Sequence, residues 1–143
     1  MPSTSRKPAP LLLHCAALGA AAGLRTTAPL AALVWKSPNL PVPSSVATLL
    51  WLGELIADKL PFAPDRRSLP SVIARVASGA LSGGLRARAA DMAPLGAVVG
   101  AAGALASTYA GAYLRALLSE HFPKFAVALA EDTVATRLAR WAA

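Results

Sequence analysis

The stretch that decides the fold runs from Pro94 to Leu118 and reads PLGAVVGAAGALASTYAGAYLRALL. Its one charged residue, Arg115, lies near the far end. A helix rises 1.5 Å per residue, and about 20 apolar residues cross the hydrocarbon of a bilayer. This run is long enough to do so. The rest of the chain is of the same kind: of 143 residues, 55% are hydrophobic and 15% charged, with mean hydropathy +0.51. An ordinary water-soluble domain carries about 25% charged residues, so there is little here to cover a water-facing surface. Much of the apolar content is alanine, which keeps a water-soluble alanine-rich bundle as the competing reading.

Toward the N-terminus, Arg86–Ala93 is a short polar connection, and Leu69–Leu85 is a helix with Pro70 in its first turn, where proline is tolerated. Val46–Leu60 is another helix, stopped by Pro61 and the turn Pro64-Asp65-Arg66-Arg67. Lys36–Ser45, with Pro38, Pro41 and Pro43, is a loop. Leu11–Trp35 is apolar except for an interruption at Arg25-Thr26-Thr27-Ala28-Pro29, and taken whole it is long enough to span. A secretory signal peptide is the alternative there, with Arg6 and Lys7 as its basic region and Leu11–Leu18 as its apolar core. Beyond Pro123, Phe125–Ala142 forms a last helix carrying Glu131, Asp132, Arg137 and Arg140.

The expected fold is therefore all-α. It is a multi-pass transmembrane bundle of about four spanning helices, the first broken near Pro29, plus a C-terminal amphipathic or partly inserted helix. Residues 1–10 form a disordered lead, and residues 11–143 a single helical membrane domain. Several runs reach only about 15–17 residues, short enough to require tilt or local thinning of the bilayer.

Fourteen Lys and Arg stand against seven Asp and Glu. The basic residues fall between apolar runs rather than in a stripe with aromatics, which argues against nucleic acid and for membrane anchors. With four crossings and a cytoplasmic N-terminus, Arg6, Lys7, Lys59, Arg66, Arg67, Arg115, Lys124, Arg137 and Arg140 fall inside. Lys36, Arg86 and Arg88 then fall outside. That asymmetry leads us to expect both termini in the cytoplasm. Trp35, Trp51 and Trp141 lie near predicted helix ends or polar boundaries, as an aromatic belt would place them, with Trp51 fitting least well.

Glycines recur at helical spacing: Gly19 and Gly23, Gly79 and Gly83, Gly96 and Gly100, then Gly103. Such faces let helix backbones approach closely in lipid. They serve either the packing of one bundle or a homo-oligomer. Charges inside the apolar runs point to a site. Glu54 and Asp58 are four residues apart and share a face; Arg25 adjoins Thr26 and Thr27; Arg75 shares a face with Ser78, Gly79 and Ser82; Glu131 and Asp132 lie in the last helix. A charge at the bilayer centre costs at least roughly 2.5–3.5 kcal/mol on insertion scales, so these groups should turn inward and pair. The expected network joins Arg25 and Arg75 to Glu54, Asp58 and Glu131 or Asp132, as a structural lock or as a substrate or ion path. Pro29 frees the carbonyl of Arg25 from helical bonding, and the Thr26 and Thr27 hydroxyls are candidates to satisfy the broken backbone.

Gly19-Ala-Ala-Ala-Gly-Leu-Arg-Thr-Thr27 echoes Gly100-Ala-Ala-Gly-Ala-Leu-Ala-Ser-Thr108 without gaps, and an acid-bearing helix follows each. Internal repeats of this kind occur in secondary transporters. Neither a nucleophile motif, nor a phosphate-binding loop, nor zinc-ligand spacing occurs, so no enzyme, metal or cofactor is expected. Cys15, the single cysteine, reads as an inert buried thiol, and Tyr109 and Tyr113 as bundle packing.

The motifs Gly23-Leu-Arg-Thr-Thr-Ala-Pro29, Gly53-Glu-Leu-Ile-Ala-Asp-Lys-Leu-Pro61, Ala74-Arg75 with Ser78-Gly79-Ala80, and Val127-Ala-Leu-Ala-Glu-Asp132 occur in this order. Together they resemble a family of small bacterial membrane proteins, the domain of unknown function numbered 4126. The resemblance runs from about Leu18 to Leu138. It implies a helical inner-membrane protein and brings no substrate or catalytic residues.

Overall fold

Proline marks the start of every α-helix among the described residues, because it fixes the helical φ and lacks only an N–H that the first turn leaves unused. A computed structural model of the chain describes residues 8–37, 39–60, 65 and 67–143. Among the described residues are six α-helices and no strand. They are α1 (Pro8–Leu24), α2 (Ala28–Lys36), α3 (Ser44–Ala57), α4 (Leu69–Ala87), α5 (Ala93–Leu118) and α6 (Lys124–Ala142). Pro8, Pro29, Pro70 and Pro94 stand in the first turns of α1, α2, α4 and α5, and Pro43 and Pro123 cap α3 and α6. α1 begins at Pro8, inside the segment expected to be a disordered lead, whose first seven residues lie outside those described. A 3₁₀ turn, Arg88–Ala90, joins α4 to α5 and ends at Asp91 in the left-handed region, φ 53°.

α1, α4 and α5 form the centre, fastened by glycine. Gly100 is the common point: its backbone lies against Gly19 of α1 on one side and Gly79 of α4 on the other. A Cβ on Gly79 would come within 2.6 Å of the Gly100 carbonyl oxygen, and one on Gly103 within 2.6 Å of the Ala16 carbonyl. Gly83 meets Gly96 in the same way, and Gly23 meets Ala104, Ser107 and Thr108. These seams close within the single chain, so the glycine faces serve its own packing. Their order also fixes direction. Residues 19 and 23 meet 100 and 104, so α1 and α5 run parallel, and the two stretches that echo each other lie side by side in register. Residues 79 and 83 meet 100 and 96, so α4 runs the other way.

α2 does not continue α1. Leu33 joins Leu18, Ala17 and Ala142 in one apolar cluster, and Ala28 and Ala32 join Ala21 and Ala139 in the next. The chain therefore turns back at Arg25–Thr27, and α1–α2 is a hairpin rather than one kinked span. α3 returns along α2: Trp35 Nε1 donates to Thr48 Oγ1 at 3.0 Å, and Trp35 and Trp51 meet edge to face at 5.6 Å. Trp51 is thus an internal contact, not part of a belt. α6 lays Asp132, Ala135, Ala139 and Ala142 against α1 and α2.

The hairpin overturns the charge count made for four crossings. His14 meets Arg86 at 3.3 Å and stacks edge to face on Trp141, and Arg86 Nε donates to the Ala142 carbonyl at 3.1 Å. Lys36, Arg86 and Arg88 accordingly share the end that holds both described termini. Among the described residues, that end has Lys36, Arg86, Arg88, Arg137 and Arg140, and the other has Arg67, Arg115 and Lys124, while Arg25, Lys59 and Arg75 lie at the level of the turn.

By length and apolar composition, one described helix, Ala93–Leu118, is fit to cross a membrane; α1 and α3 are apolar but shorter. Large apolar side chains point outward over most of the surface, among them Leu49 (68% exposed), Leu69 (72% exposed), Ile56, Ile73, Val98 and Leu114. Tyr109 and Tyr113, expected inside the bundle, also face outward. The interior is built mostly from small residues, Ala and Gly above all, with Leu18, Leu33 and two arginines among the few large buried side chains.

Candidate functional site at the hairpin tip

α5 is about 39 Å long at 1.5 Å per residue, and the hairpin tip lies beside its middle, where Gly23 packs on Ala104–Thr108. A helix end leaves N–H and C=O groups without partners, and here two ends meet at one point. Side chains meet several of these groups. Arg75 Nη1 donates to the carbonyls of Gly23 and Leu24, the latter at 3.2 Å, at the negative end of α1. Ser78 Oγ donates to Thr26 O at 2.5 Å, and the Thr108 hydroxyl, which donates to Ala104 O at 2.7 Å, lies 3.4 Å from Gly23 O. The Arg25 carbonyl accepts from Ala28 N at 3.3 Å.

Glu54 occupies the opposite pole, the start of α2. Its Oε1 accepts from Thr26 N at 2.7 Å, and its Oε2 from Thr27 N at 2.7 Å and Thr27 Oγ1 at 2.5 Å. A carboxylate at a helix N-terminus meets both free amides and the positive end of the dipole. Glu54 was expected to join an arginine and caps α2 instead. The Thr27 hydroxyl, a candidate for the freed backbone carbonyl, goes to Glu54.

Arg25, at the turn itself, is 1% exposed. Its Nε and Nη2 donate to Asp132 Oδ1, and its Nη1 to Asp58 Oδ2 at 2.5 Å. Lys59 Nζ lies 3.4 Å from Asp132 Oδ2. The four charges sum to zero. One acid comes from α6 and one from the end of α3, so the helices downstream of both echoing stretches converge on a single guanidinium. Asp132 holds the place for which Glu131 was the alternative; Glu131 pairs with Arg115 at the C-terminal part of α5. Arg115 was not read as a site residue, and its position one turn from the end of an apolar helix was the only available signal.

Outside the tip, Cys15 is a free, buried thiol donating to Gly83 O at 3.4 Å. A groove of about 440 Å³ lies at the far end of α2, lined by Val34, Trp35, Leu40 and Pro41 through Ser44. Among the described residues, no three His, Cys, Asp or Glu side chains converge as a metal site. Comparison with known proteins adds no kin: no family model, no curated protein and no solved structure matches the chain.

Proposed function

We propose that this is a multi-pass membrane protein in which α1–α2 is a re-entrant hairpin, and that the hairpin tip is the closed gate of a path for a small solute or ion. One observation carries the reading: two oppositely oriented helix ends and a balanced charge cluster meet halfway along the one described helix fit by length and composition to cross a bilayer. Irregular backbone is tolerated at that depth only where protein or a water-filled cavity covers it, and transporters place substrate sites at such half-helix ends. The apolar outer surface and the buried Arg25–Asp132 cluster support residence in lipid. Leaving aside Arg25, Lys59 and Arg75 at the turn, the five-to-three distribution of the described basic residues supports a cytoplasmic placement of the end with both termini. We assign no catalytic role, and we include in this reading kinship with the family of unknown function numbered 4126, on the ordered motifs alone.

The second reading is a structural or accessory membrane protein whose charges lock the bundle, alone or as a homo-oligomer. The near-complete burial of Arg25 favours it. Reconstitution into liposomes separates the two. The transport reading expects flux of small ions or anions that rises when Asp58→Asn loosens the tip. Folded protein that gives no flux in either form leaves the structural reading.

A further inference from the structure

We propose that α3 is a hinged arm that closes over the hairpin tip, with Glu54 and Asp58 as its latch. The inference deepens the transport reading, on which its role as a gate rests, but the movement is measurable without any flux.

The packing of α3 is lopsided. It lies on α2, and of its residues only Ala47 is buried. Leu49, Leu50, Leu52 and Ile56 face outward, and a Cβ on Gly53 would meet nothing within 4 Å. The remaining apolar anchor is Trp51, set against Trp35 and the Ala21–Ala28–Ala32–Ala139 cluster. That anchor is imperfect, because Trp51 Nε1 is buried without a hydrogen-bond partner among the described residues. A buried donor left unmet destabilises the state that buries it, so the closed position carries a built-in bias toward release.

What holds the far end of α3 is polar. Glu54 grips the Thr26 and Thr27 amides, Asp58 grips Arg25, and the neighbouring Lys59 reaches Asp132. Asp58 and Lys59 are 23% and 39% exposed, so water and ions compete for these bonds from outside. The other end of α3 follows Pro41 and Pro43, whose fixed φ stiffens the approach and leaves the adjoining ψ angles at the start of the helix as the pivot about which it turns as a unit. Because both carboxylates ride on α3, one outward rotation withdraws them together. It uncovers the guanidinium of Arg25, two backbone N–H groups and a hydroxyl, while Arg75, Ser78 and Thr108 keep the α1 end in place.

Pulsed electron–electron resonance on the full chain in lipid nanodiscs tests this, with nitroxides at Ile56→Cys and Val98→Cys in a Cys15→Ala background. Ile56 lies about 18 Å along α3 from its start, so a rotation of about 20° moves it roughly 6 Å. The expected result is a main distance with a longer minor population that grows at least about fivefold in Glu54→Gln/Asp58→Asn. A control pair at Leu81→Cys and Leu105→Cys, across the glycine seam, stays unchanged. In the unaltered latch, about 1 M salt, where the screening length is near 3 Å, shifts the first pair the same way. One unchanged population under both treatments overturns the arm, and so does a control pair that moves with it. An arm that moves without measurable flux leaves this inference standing and removes the transport reading.

Discussion

Replacing Arg25 with methionine keeps the bulk of the side chain and removes its charge, and the structure sets the cost. Three donated hydrogen bonds vanish, two at Asp132 and one at Asp58. Asp58 reaches the surface and rehydrates. Asp132, 9% exposed, does not, and keeps only Lys59 at 3.4 Å. Breaking a buried ion pair by deleting one partner costs about 3–5 kcal/mol, because the other charge is stranded. Partial relief by Lys59 puts the expectation near the lower end, about 3 kcal/mol. Neutralising the stranded group as well, in Arg25→Met/Asp132→Asn, should restore a large part of the loss, giving a coupling of about 2 kcal/mol between two sites that additivity would treat as independent. Reversible unfolding in mixed micelles, followed by far-UV circular dichroism, measures all three variants. A loss below about 1 kcal/mol for Arg25→Met, or strictly additive losses, would refute the argument that Arg25 holds the hairpin turn through buried charge.

Three further outcomes follow from particular contacts. Gly100→Ala places a methyl group against the Gly79 backbone, which cannot yield as a side chain can; the loss expected in the same unfolding assay is about 1–3 kcal/mol, typical of overpacking. Gly53→Ala meets open space in the middle of α3 and should stabilise by roughly 0.5–1 kcal/mol through helix propensity, with no change in fold. Glu54→Gln keeps one acceptor for the α2 amides but loses its charge at the helix start, an expected loss of about 1 kcal/mol, with faster amide exchange at Thr26 and Thr27 as the site-specific readout. If those two amides exchange no faster than in the parent chain, Glu54 does not cap α2.

The helices themselves were legible. Apolar runs bounded by proline predict α3 to α6 to within a few residues, since both signals are local and proline acts through its own ring. The break at Arg25–Pro29 was also readable, as was the inward turn of Arg25, Arg75, Asp58 and Asp132. The direction taken after the break was not. Hydropathy is a scalar, and Leu11–Trp35 has the same apolar content whether it continues or doubles back. A signal was present nonetheless: Thr27 followed by Pro29 is the usual opening of a new helix, and a kink needs no such opening. Reading the proline as a fault in one helix rather than as the start of another set Lys36, Arg86 and Arg88 at the end opposite the described termini, with which they in fact share one end. The partners of Glu54 and Glu131 were beyond sequence for a different reason. A carboxylate is served equally by an arginine or by two backbone amides, and only the position of the α2 terminus decides between them. Tyr109 and Tyr113 share a helix face, but spacing alone does not say whether that face turns toward the bundle or away from it.

The claim on which the account depends is that the outward apolar faces lie in lipid with the hairpin tip at mid-depth. Nitroxides placed singly along the exposed side of α5, at Leu95, Val98, Leu105, Tyr109 and Leu114, measure this through collision with oxygen, which concentrates in the bilayer, and with a water-soluble nickel chelate, which does not. The account expects the oxygen-to-nickel ratio to rise from Leu95, peak near Leu105 beside the tip and fall again by Leu114. Full nickel access along the whole series, with no peak, would contradict it.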